Sequence, residues 1–274
     1  MPGIQKLIEM ALMEDIGSGD ITTDNLVSPD KTGKGIIVAK EPLVIAGIDI
    51  AHQVFAHLDG DISFRPSASD GDFLNPGDTA VEIEGRLCSL LKGERTALNF
   101  LQHLSGVATH VKSFVDLLEN KTVRLVDTRK TTPGWRVLEK YAVRIGGAFN
   151  HRSGLFDGVL IKDNHIKACG GITKAVTKIK KNVSHLVKIE VEVTDEDEVK
   201  EALKAKADVI MLDNMDLKEI REAVKLISGK AVVEVSGMVT KKELNALAET
   251  GVDIISAGAL THSAKAVDLS MRIL

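Results

Sequence analysis

The second half of this chain alternates regularly between short apolar runs and segments of helical spacing, and this alternation constrains the fold most. Such runs are typical of buried β-strands. The runs are Val123–Asp127, Gly158–Ile161, Leu186–Val193, Val209–Leu212, Val232–Val235 and Ile254–Ser256. Because strands that alternate with helices form parallel sheets buried on both faces, the sequence predicts an α/β barrel, closed or partly open. A doubly wound sheet is the competing architecture, and the lack of a GxGxxG fingerprint disfavours it.

The first part of the chain has a different pattern. Residues 3–13 have the apolar spacing of an amphipathic helix, and strong helical spacing returns over 88–118. Between them lie four β-like runs separated by turn signals: Gly35–Ala39, Leu43–Ala46, Asp61–Phe64 and Thr79–Glu84. We therefore predict an N-terminal module of helices and a mostly antiparallel sheet.

Composition narrows the class of protein. The 274 residues carry a formal net charge of -4, and the aromatic residues are only seven Phe, one Tyr and one Trp. A nucleic-acid partner is not expected, because such proteins usually present a basic face and aromatic stacking platforms. No apolar run approaches the length of a membrane span, and we expect no signal peptide at the N-terminus. Cys88 and Cys169 form no CxxC pattern, which favours a reducing, cytoplasmic location.

Polar residues stand where the predicted strands end. In chain order they are Arg129 and Lys130, Lys162, Glu192, Asp213, Ser236-Gly237 and Ala257-Gly258. The later positions are 21, 23 and 21 residues apart (192 to 213, 213 to 236 and 236 to 257), which is one β/α unit each. Since the carboxyl ends of parallel barrel strands meet at one rim, we expect these residues to share one site.

The order of these residues suggests a chemistry. Five cations could hold a substrate with several negative charges: Arg129, Lys130, His151, Arg152 and Lys162. Glu192 and Asp213 could hold Mg²⁺, bind sugar hydroxyls or stabilise a developing cation. Ser236-Gly237 and Ala257-Gly258 would present backbone N–H groups just before helices, which suits a phosphate. The pattern predicts a phosphorylated sugar at one end of the site and a carboxylated molecule at the other.

Each residue also has a simpler interpretation. Arg129-Lys130 could be a solvated strand end, and Lys162 could be an exposed terminus or the Schiff-base lysine of an aldolase. Asp213 could be a helix N-cap. Glu190 and Glu192 are two apart and face the same side of a strand, so the sequence leaves open which is functional.

At these same residues the chain resembles the quinolinate phosphoribosyltransferase family. The matching segments occur in order along nearly the whole chain: EDIGSGDITT (14–23), ERTALNFLQHLSGVAT (94–109), DTRKTTPG (127–134), NHR (150–152), LIKDNHI (160–166), IEVEV (189–193), MLDN (211–214) and GALTH (258–262). No single segment is decisive, whereas the ordered set is highly specific.

The resemblance implies an N-terminal α/β sandwich domain (1–110), an incomplete, open α/β barrel (111–261) and a tail (262–274) that packs back on the first domain. It implies a homodimer, on which a higher oligomer could be built, with Arg95 donated to the partner's site. The implied reaction transfers phosphoribosyl from 5-phosphoribosyl-1-pyrophosphate to quinolinate with decarboxylation. The products are nicotinate mononucleotide, pyrophosphate and CO₂, in NAD biosynthesis. Mg²⁺ accompanies the donor, and no organic cofactor is expected.

The resemblance also assigns roles to residues. The quinolinate pocket would contain Arg129, His151, Arg152, Lys162 and Arg95 of a partner copy. The donor would contact Lys130, Lys188, Glu192, Asp213, Ser236, Gly237, Ala257 and Gly258. Among these, Lys130, Lys162, Glu192 and Asp213 would be catalytic, and Glu192 and Asp213 would face the metal.

Two positions depart from the family pattern. Ala148 stands where a third glycine is common, and Met238 stands where a glycine follows Ser-Gly. Three alternatives stay open: a related transferase with another acceptor, an aldolase-type barrel using Lys162, and a ligand-binding protein without turnover.

Overall fold

The structure, a computed structural model, describes residues 3–120, 122–237 and 239–274. The helices are α1 (Ile4–Ile16), α2 (Thr23–Leu26), α3 (Ile48–Leu58), α4 (Leu87–Val115), α5 (Arg136–Ile145), α6 (Asp163–Cys169), α7 (Ile172–Asn182), α8 (Glu196–Lys204), α9 (Leu217–Ile227), α10 (Leu244–Ala248) and α11 (Ala259–His262). The strands are β1 (Thr32–Ala39), β2 (Leu43–Val44), β3 (Ser63–Pro66), β4 (Phe73–Leu74), β5 (Thr79–Arg86), β6 (Arg124–Val126), β7 (Val159–Ile161), β8 (Ile189–Val193), β9 (Val209–Asp213), β10 (Val232–Ser236), β11 (Ile254–Ser256) and β12 (Leu269–Ile273). These elements divide between two compact units.

Unit 1 contains residues up to 112, residues 133–147 and residues 264–274. Its main sheet has the strand order β12-β1-β5-β3 and is antiparallel throughout, with β2 and β4 forming a separate pair. The C-terminal strand β12 pairs with β1 in a register that places Gly35 opposite Ile273. Gly106 lies within α4 and allows a close approach of the chain, because a Cβ there would lie 2.1 Å from the carbonyl oxygen of Lys265.

The segment 133–147 belongs to unit 1, whereas the sequence prediction placed it within the barrel region 111–261. Packing against α4 explains the difference. The Trp135 ring stacks on Phe100 at 4.7 Å between centroids, and Glu139 Oε1 lies 2.9 Å from Nε2 of His103. Sequence periodicity describes a helix such as α5 but does not tell which neighbouring unit its apolar face covers.

Unit 2 contains residues 113–132 and 148–263. Its six strands form one parallel sheet in the order β6-β11-β10-β9-β8-β7. Within the described part of the chain, β6 and β7 are the two edge strands of this sheet and do not pair with each other. The barrel is therefore open between them. A single parallel bridge from Phe149 to Val126 occupies the outer edge of β6. The predicted open α/β barrel is confirmed.

The apolar runs predicted as strands correspond to the strands of both sheets, with differences at their ends. Strand β1 begins at Thr32, three residues before its predicted start, and β8 begins at Ile189, three residues after its predicted start, because residues 184–187 form a turn. Helix α1 extends to Ile16, three residues beyond the predicted helix. Among the described residues, no helix is long and apolar enough to cross a membrane.

Candidate active site

A cavity of about 750 Å³ opens at the carboxyl ends of the unit 2 strands. Every residue that lines it belongs to unit 2: Thr128, Arg129, Lys130, His151, Arg152, Leu155, Leu160, Lys162, His165, Glu192, Met211, Asp213, Asn214, Ser236, Gly237, Ser256 and Gly258. Parallel strands bring their carboxyl ends to the same edge, so residues distant in sequence meet here. The predicted convergence of strand-end residues is therefore observed.

One side of the cavity is cationic. Arg129 and Lys130 follow β6, Lys162 follows β7, and Arg152 lies in the loop before β7. Burial, reinforced by the like charge of Arg129, lowers the pKa of the Arg152 guanidinium. Arg152 Nη1 donates a hydrogen bond to the carbonyl oxygen of Gly158 at 3.0 Å, which fixes part of the guanidinium group. Cations held this close to one another form a site for an anion with more than one negative charge.

The cavity also carries carboxylates, which adjoin the cations. Glu192 lies near the end of β8 and forms an ion pair with Lys162. Asp213 ends β9, and its Oδ2 accepts a hydrogen bond from Asn214 Nδ2 at 3.0 Å. Asn214 has a left-handed backbone conformation with φ 55°, which is strained for a residue other than glycine and is common at functional sites. Carboxylate oxygens of this kind are ligands that suit Mg²⁺.

The structure separates the roles of Glu190 and Glu192. Both side chains leave β8 on the same face, as their spacing predicts. Glu192 lines the cavity, whereas Glu190 lies beneath it, only 8% exposed, with Oε2 3.1 Å from His151 Nε2. Glu192 is therefore the carboxylate that can reach a substrate.

Two glycines line the cavity at positions where an added Cβ would meet a neighbouring side chain. Gly237 has φ 137°, and a Cβ there would lie 2.7 Å from Oδ1 of Asn214. At Gly258 a Cβ would lie 2.8 Å from Cδ of Lys130. Thr261 supports the same corner, since its hydroxyl donates to the carbonyl oxygen of Lys130 at 2.7 Å. This corner leaves room for backbone contact with a ligand.

Three predicted site residues do not line the cavity: Lys188, Arg95 and Ala257. Lys188 precedes β8, so it lies at the amino end of that strand, opposite the rim, and it is exposed. The prediction that Lys188 belongs to the donor site is therefore not supported by its position. Arg95 lies on α4 in unit 1, is exposed, and does not line the cavity.

The predicted phosphate turns need correction in detail. The backbone N–H of Ala257 donates to the carbonyl oxygen of Val126 at 3.0 Å, so it is already used within the sheet. The helix expected directly after Gly237 begins only at Leu244. Met238, where the sequence departs from the family pattern, lies outside the described residues. Ala148, the other departure, is buried without a left-handed backbone, so its methyl group is accommodated.

Several cavity residues were not assigned a role from the sequence. They are Thr128, Leu155, Leu160, His165, Met211, Asn214 and Ser256. Thr128 and His165 shape the cationic side: Thr128 Oγ1 accepts the backbone N–H of Lys130 at 3.1 Å, and His165 Nδ1 accepts that of Lys162 at 3.0 Å. Thr128 lies in the DTRK segment and His165 in the IKDNH segment. Their closeness in sequence to charged strand ends is the feature that could have identified them as site residues.

Comparison with known proteins gives a consistent result across the chain. A family model described as quinolinate phosphoribosyl transferase, C-terminal domain, matches residues 107–272. The corresponding N-terminal domain model matches residues 20–105. The two matches together cover most of the chain and both units.

Individual relatives match over almost their full length. A probable nicotinate-nucleotide pyrophosphorylase [carboxylating] from Bacillus subtilis (strain 168) is 44% identical over 270 residues, covering 98% of this chain and 93% of that protein. The crystal structure of NadC from Streptococcus pyogenes has a TM-score of 0.95 at 40% identity, covering 99% of this chain and 96% of that one. The nicotinate-nucleotide pyrophosphorylase from Francisella tularensis has a TM-score of 0.95 at 44% identity, covering 100% and 96%.

Proposed function

This chain belongs to the quinolinate phosphoribosyltransferase family, and on that premise we propose that it makes nicotinate mononucleotide in NAD biosynthesis. It transfers the phosphoribosyl group of 5-phosphoribosyl-1-pyrophosphate to the ring nitrogen of quinolinate and removes one carboxyl group. The products are nicotinate mononucleotide, pyrophosphate and CO₂.

The observation that carries this proposal is that one cavity holds both a group of cations and a pair of carboxylates. Arg129, Arg152 and Lys162 form its cationic side, Glu192 and Asp213 form its acidic side, and the two sides meet at the ion pair between Lys162 and Glu192. Quinolinate carries two carboxylates and suits the cationic side. The ribose, whose anomeric carbon gains positive charge as pyrophosphate leaves, suits the acidic side.

On the cationic side, the guanidinium groups of Arg129 and Arg152 offer paired N–H donors that match a carboxylate. Lys162 adds a point charge next to them. Holding both carboxylates fixes the pyridine ring and directs its nitrogen at C1 of the ribose, which lowers the entropic part of the barrier. His151 forms part of the same wall of the cavity.

On the acidic side, the C1–O bond to pyrophosphate breaks, and its electron pair leaves with the pyrophosphate oxygen. Glu192 and Asp213 stabilise the resulting oxocarbenium character electrostatically until the ring nitrogen bonds to C1. The bond to the 2-carboxylate then breaks as CO₂ departs. Its electron pair stays on the ring carbon, beside the positively charged nitrogen, until that carbon takes up a proton.

The donor is proposed to lie between Lys130, near its pyrophosphate, and the glycine corner formed by Gly237 and Gly258, near its 5-phosphate. Asp213 and Glu192 present oxygen atoms of the type that Mg²⁺ prefers, and Mg²⁺ is commonly bound by one or two carboxylates plus substrate phosphates. When bound there, the ion would neutralise charge on the pyrophosphate group.

We further propose that the active form is a homodimer in which Arg95 of each copy completes the quinolinate pocket of the other. The exposure of Arg95 on α4, apart from the cavity residues of its own chain, is consistent with this role. A cytoplasmic location is proposed because Cys88 and Cys169 are both free thiols.

An aldolase-type function is less well supported. A Schiff-base lysine reacts as a neutral amine, whereas Lys162 is half-exposed and ion-paired with Glu192, which favours its charged form. A related transferase with another acceptor, or a binding protein without turnover, differs from the proposal in its products and not in its cavity.

The test is incubation of the purified protein with quinolinate, the phosphoribosyl donor and Mg²⁺. We expect nicotinate mononucleotide, pyrophosphate and CO₂ in equal amounts, and no product when any one substrate is omitted. Nicotinate, which lacks the 2-carboxylate, serves as the matched acceptor and should give little or no nucleotide. Product from nicotinate alone would indicate another acceptor class, and donor binding without any product would indicate a binding protein.

A further inference from the structure

Three titratable side chains lie together at the floor of the cavity. This floor cluster consists of His151, which precedes β7, Glu190 on β8 and Glu234 on β10. One nitrogen or oxygen atom from each lies within 4.8 Å of the others. His151 Nε2 is 3.1 Å from Glu190 Oε2 and 3.5 Å from Glu234 Oε1. Only His151 reaches the cavity, so the two glutamates are unlike the carboxylates proposed to meet the substrate.

The two glutamates are both deeply buried. Glu190 is 8% exposed and Glu234 is 2% exposed. Among the described residues, Oε1 of Glu190 and Oε1 of Glu234 have no hydrogen-bond partner. Burial, and after it the negative charge of Glu190, raises the pKa of Glu234 far above that of an ordinary carboxyl. A single proton held between these two adjacent buried carboxyls would reduce their mutual repulsion, and on Glu234 it would supply a donor to Glu190.

The hydrogen bonds of His151 fix its tautomer. Nδ1 accepts the backbone N–H of Arg152 at 2.7 Å, so Nδ1 carries no proton. The proton is therefore on Nε2, the nitrogen that faces the two glutamates. The backbone N–H of His151 is held in turn by Oδ1 of the buried Asp127 at 2.9 Å.

A divalent cation is the other group that one histidine and two carboxylates could hold. The tautomer disfavours it. Metal binding at Nε2 would need the lone pair there and a proton on Nδ1, and that proton would face the N–H of Arg152 at 2.7 Å. A proton between the two glutamates would give their carboxylate oxygens a partner and would allow Nδ1 of His151 to accept the N–H of Arg152.

We propose that Glu234 is a positioning residue for the acceptor pocket. As a neutral acid paired with Glu190, it fixes the ring of His151, and the ring fixes the backbone at Arg152. Arg152 then needs only its contact with the carbonyl oxygen of Gly158 to point its remaining donors into the cavity. A single negative charge on the pair also leaves the floor less repulsive to a substrate with two carboxylates than two charges would.

The proposal rests on the function proposed above, and two variants test it. Glu234→Gln keeps a neutral N–H donor of nearly the same shape, and Glu234→Ala removes the donor. For Glu234→Ala we expect the KM for quinolinate to rise about tenfold or more, as for a lost hydrogen bond to a charged group, while the KM for the donor changes less than about twofold. For Glu234→Gln we expect both KM values to stay within about threefold of wild type.

Equal loss in both variants, or equal effects on both substrates, would overturn the positioning role. Melting temperatures of the variants show whether a loss reflects the fold. If Glu234→Ala does not fold, Glu234→Gln still decides: we expect it to retain the quinolinate KM, and a rise of tenfold or more would overturn the proposal.

A spectroscopic measurement tests the proposal independently of turnover. With ¹⁵N-histidine-labelled wild type, we expect the His151 resonances of a neutral ring protonated at Nε2, assigned by their loss in His151→Asn. A ring protonated at Nδ1 would overturn the proposal, as would one equivalent of divalent metal per purified chain that is lost in Glu234→Gln. An inactive wild type with the expected ring signals would refute the proposed reaction without refuting the hydrogen-bond chain.

Discussion

Replacement of Arg152 by alanine is the most direct test of the acceptor pocket. The guanidinium of Arg152 is partly buried, lies near Arg129, and has one of its nitrogens bound to the carbonyl oxygen of Gly158. Its remaining donors can form a two-pronged contact with one quinolinate carboxylate. Arg152→Ala would remove that contact and leave the carboxylate without one of its partners.

The expected size of the effect follows from these surroundings. Removing one partner of a desolvated charge pair typically costs about 2–5 kcal/mol. Loss of Arg152 also relieves its repulsion with Arg129, which offsets part of this cost. We therefore expect about 2–3 kcal/mol, which corresponds to a decrease of roughly 30- to 150-fold in kcat/KM for quinolinate. Arg152→Lys should fall between wild type and Arg152→Ala, because lysine keeps the charge without the planar fork.

The assay is steady-state formation of nicotinate mononucleotide with each substrate varied in turn, together with a thermal melt of each variant. Arg221→Ala is a suitable control, because Arg221 is an exposed arginine of unit 2 that does not line the cavity. The control should behave as wild type. A folded Arg152→Ala protein whose kcat/KM for quinolinate lies within twofold of wild type would refute the assignment of the pocket.

Three further predictions address the dimer, the donor site and acid stability. Inactive Arg95→Ala and Lys162→Ala proteins, mixed under conditions of subunit exchange, should recover about a quarter of wild-type activity, because half of the randomly formed dimers contain one intact site of two. Gly237→Ala should raise the KM for the donor about tenfold or more, because the backbone of Gly237 has φ 137° and an added Cβ would lie 2.7 Å from Oδ1 of Asn214. Arg86 lowers the pKa of Asp59 from 3.8 to about 2, so the stability lost in Asp59→Asn should shrink as the pH falls through this interval, measured by urea unfolding.

Each of these predictions has its own control. No recovery from the mixed subunits, with exchange shown by mass-tagged chains, would contradict a shared site. Gly229→Ala matches Gly237→Ala, since Gly229 also has a positive φ of 72° but nothing lies within 4 Å of the added Cβ, so donor binding should not change. The pKa of the Asp59 carboxyl is lower in the folded protein than in the unfolded chain. Its ion pair with Arg86 therefore contributes fully to the free energy of unfolding above the unfolded pKa. A stability difference independent of pH between 3.8 and about 2 would contradict the ion pair.

Much of the site could be predicted because it follows from strand direction. The ends of β6, β7, β8, β9 and β10 carry the residues expected from the sequence, and parallel pairing brings them to one rim. The exact start of a strand is harder to predict from an apolar run, and it decides at which end of the sheet a residue lies. Lys188 precedes the true start of β8, so it lies at the wrong end of the strand, although the apolar run seemed to include it.

Other residues could not be identified from the sequence, because their function depends on neighbours from distant segments of the chain. Glu234 lies within an apolar run with the pattern of an ordinary buried strand, and no motif marks it. Its proposed role can be recognised only in the folded chain, where Glu190 on β8 and His151 in the loop before β7 lie within 4.8 Å of it. The N–H of Ala257 was likewise expected to face a ligand, and the neighbouring strand β6 uses it instead.

The parallel strands, the order of their polar ends and the charges available to a substrate could all be predicted from the sequence, because they depend on local periodicity and on residue type. The tertiary structure decided which of two carboxylates on β8 meets the cavity, that residues 133–147 pack with unit 1, and which polar groups are already satisfied within the protein. These depend on the distance between atoms far apart in the chain, and on burial, which makes an unpaired charge costly.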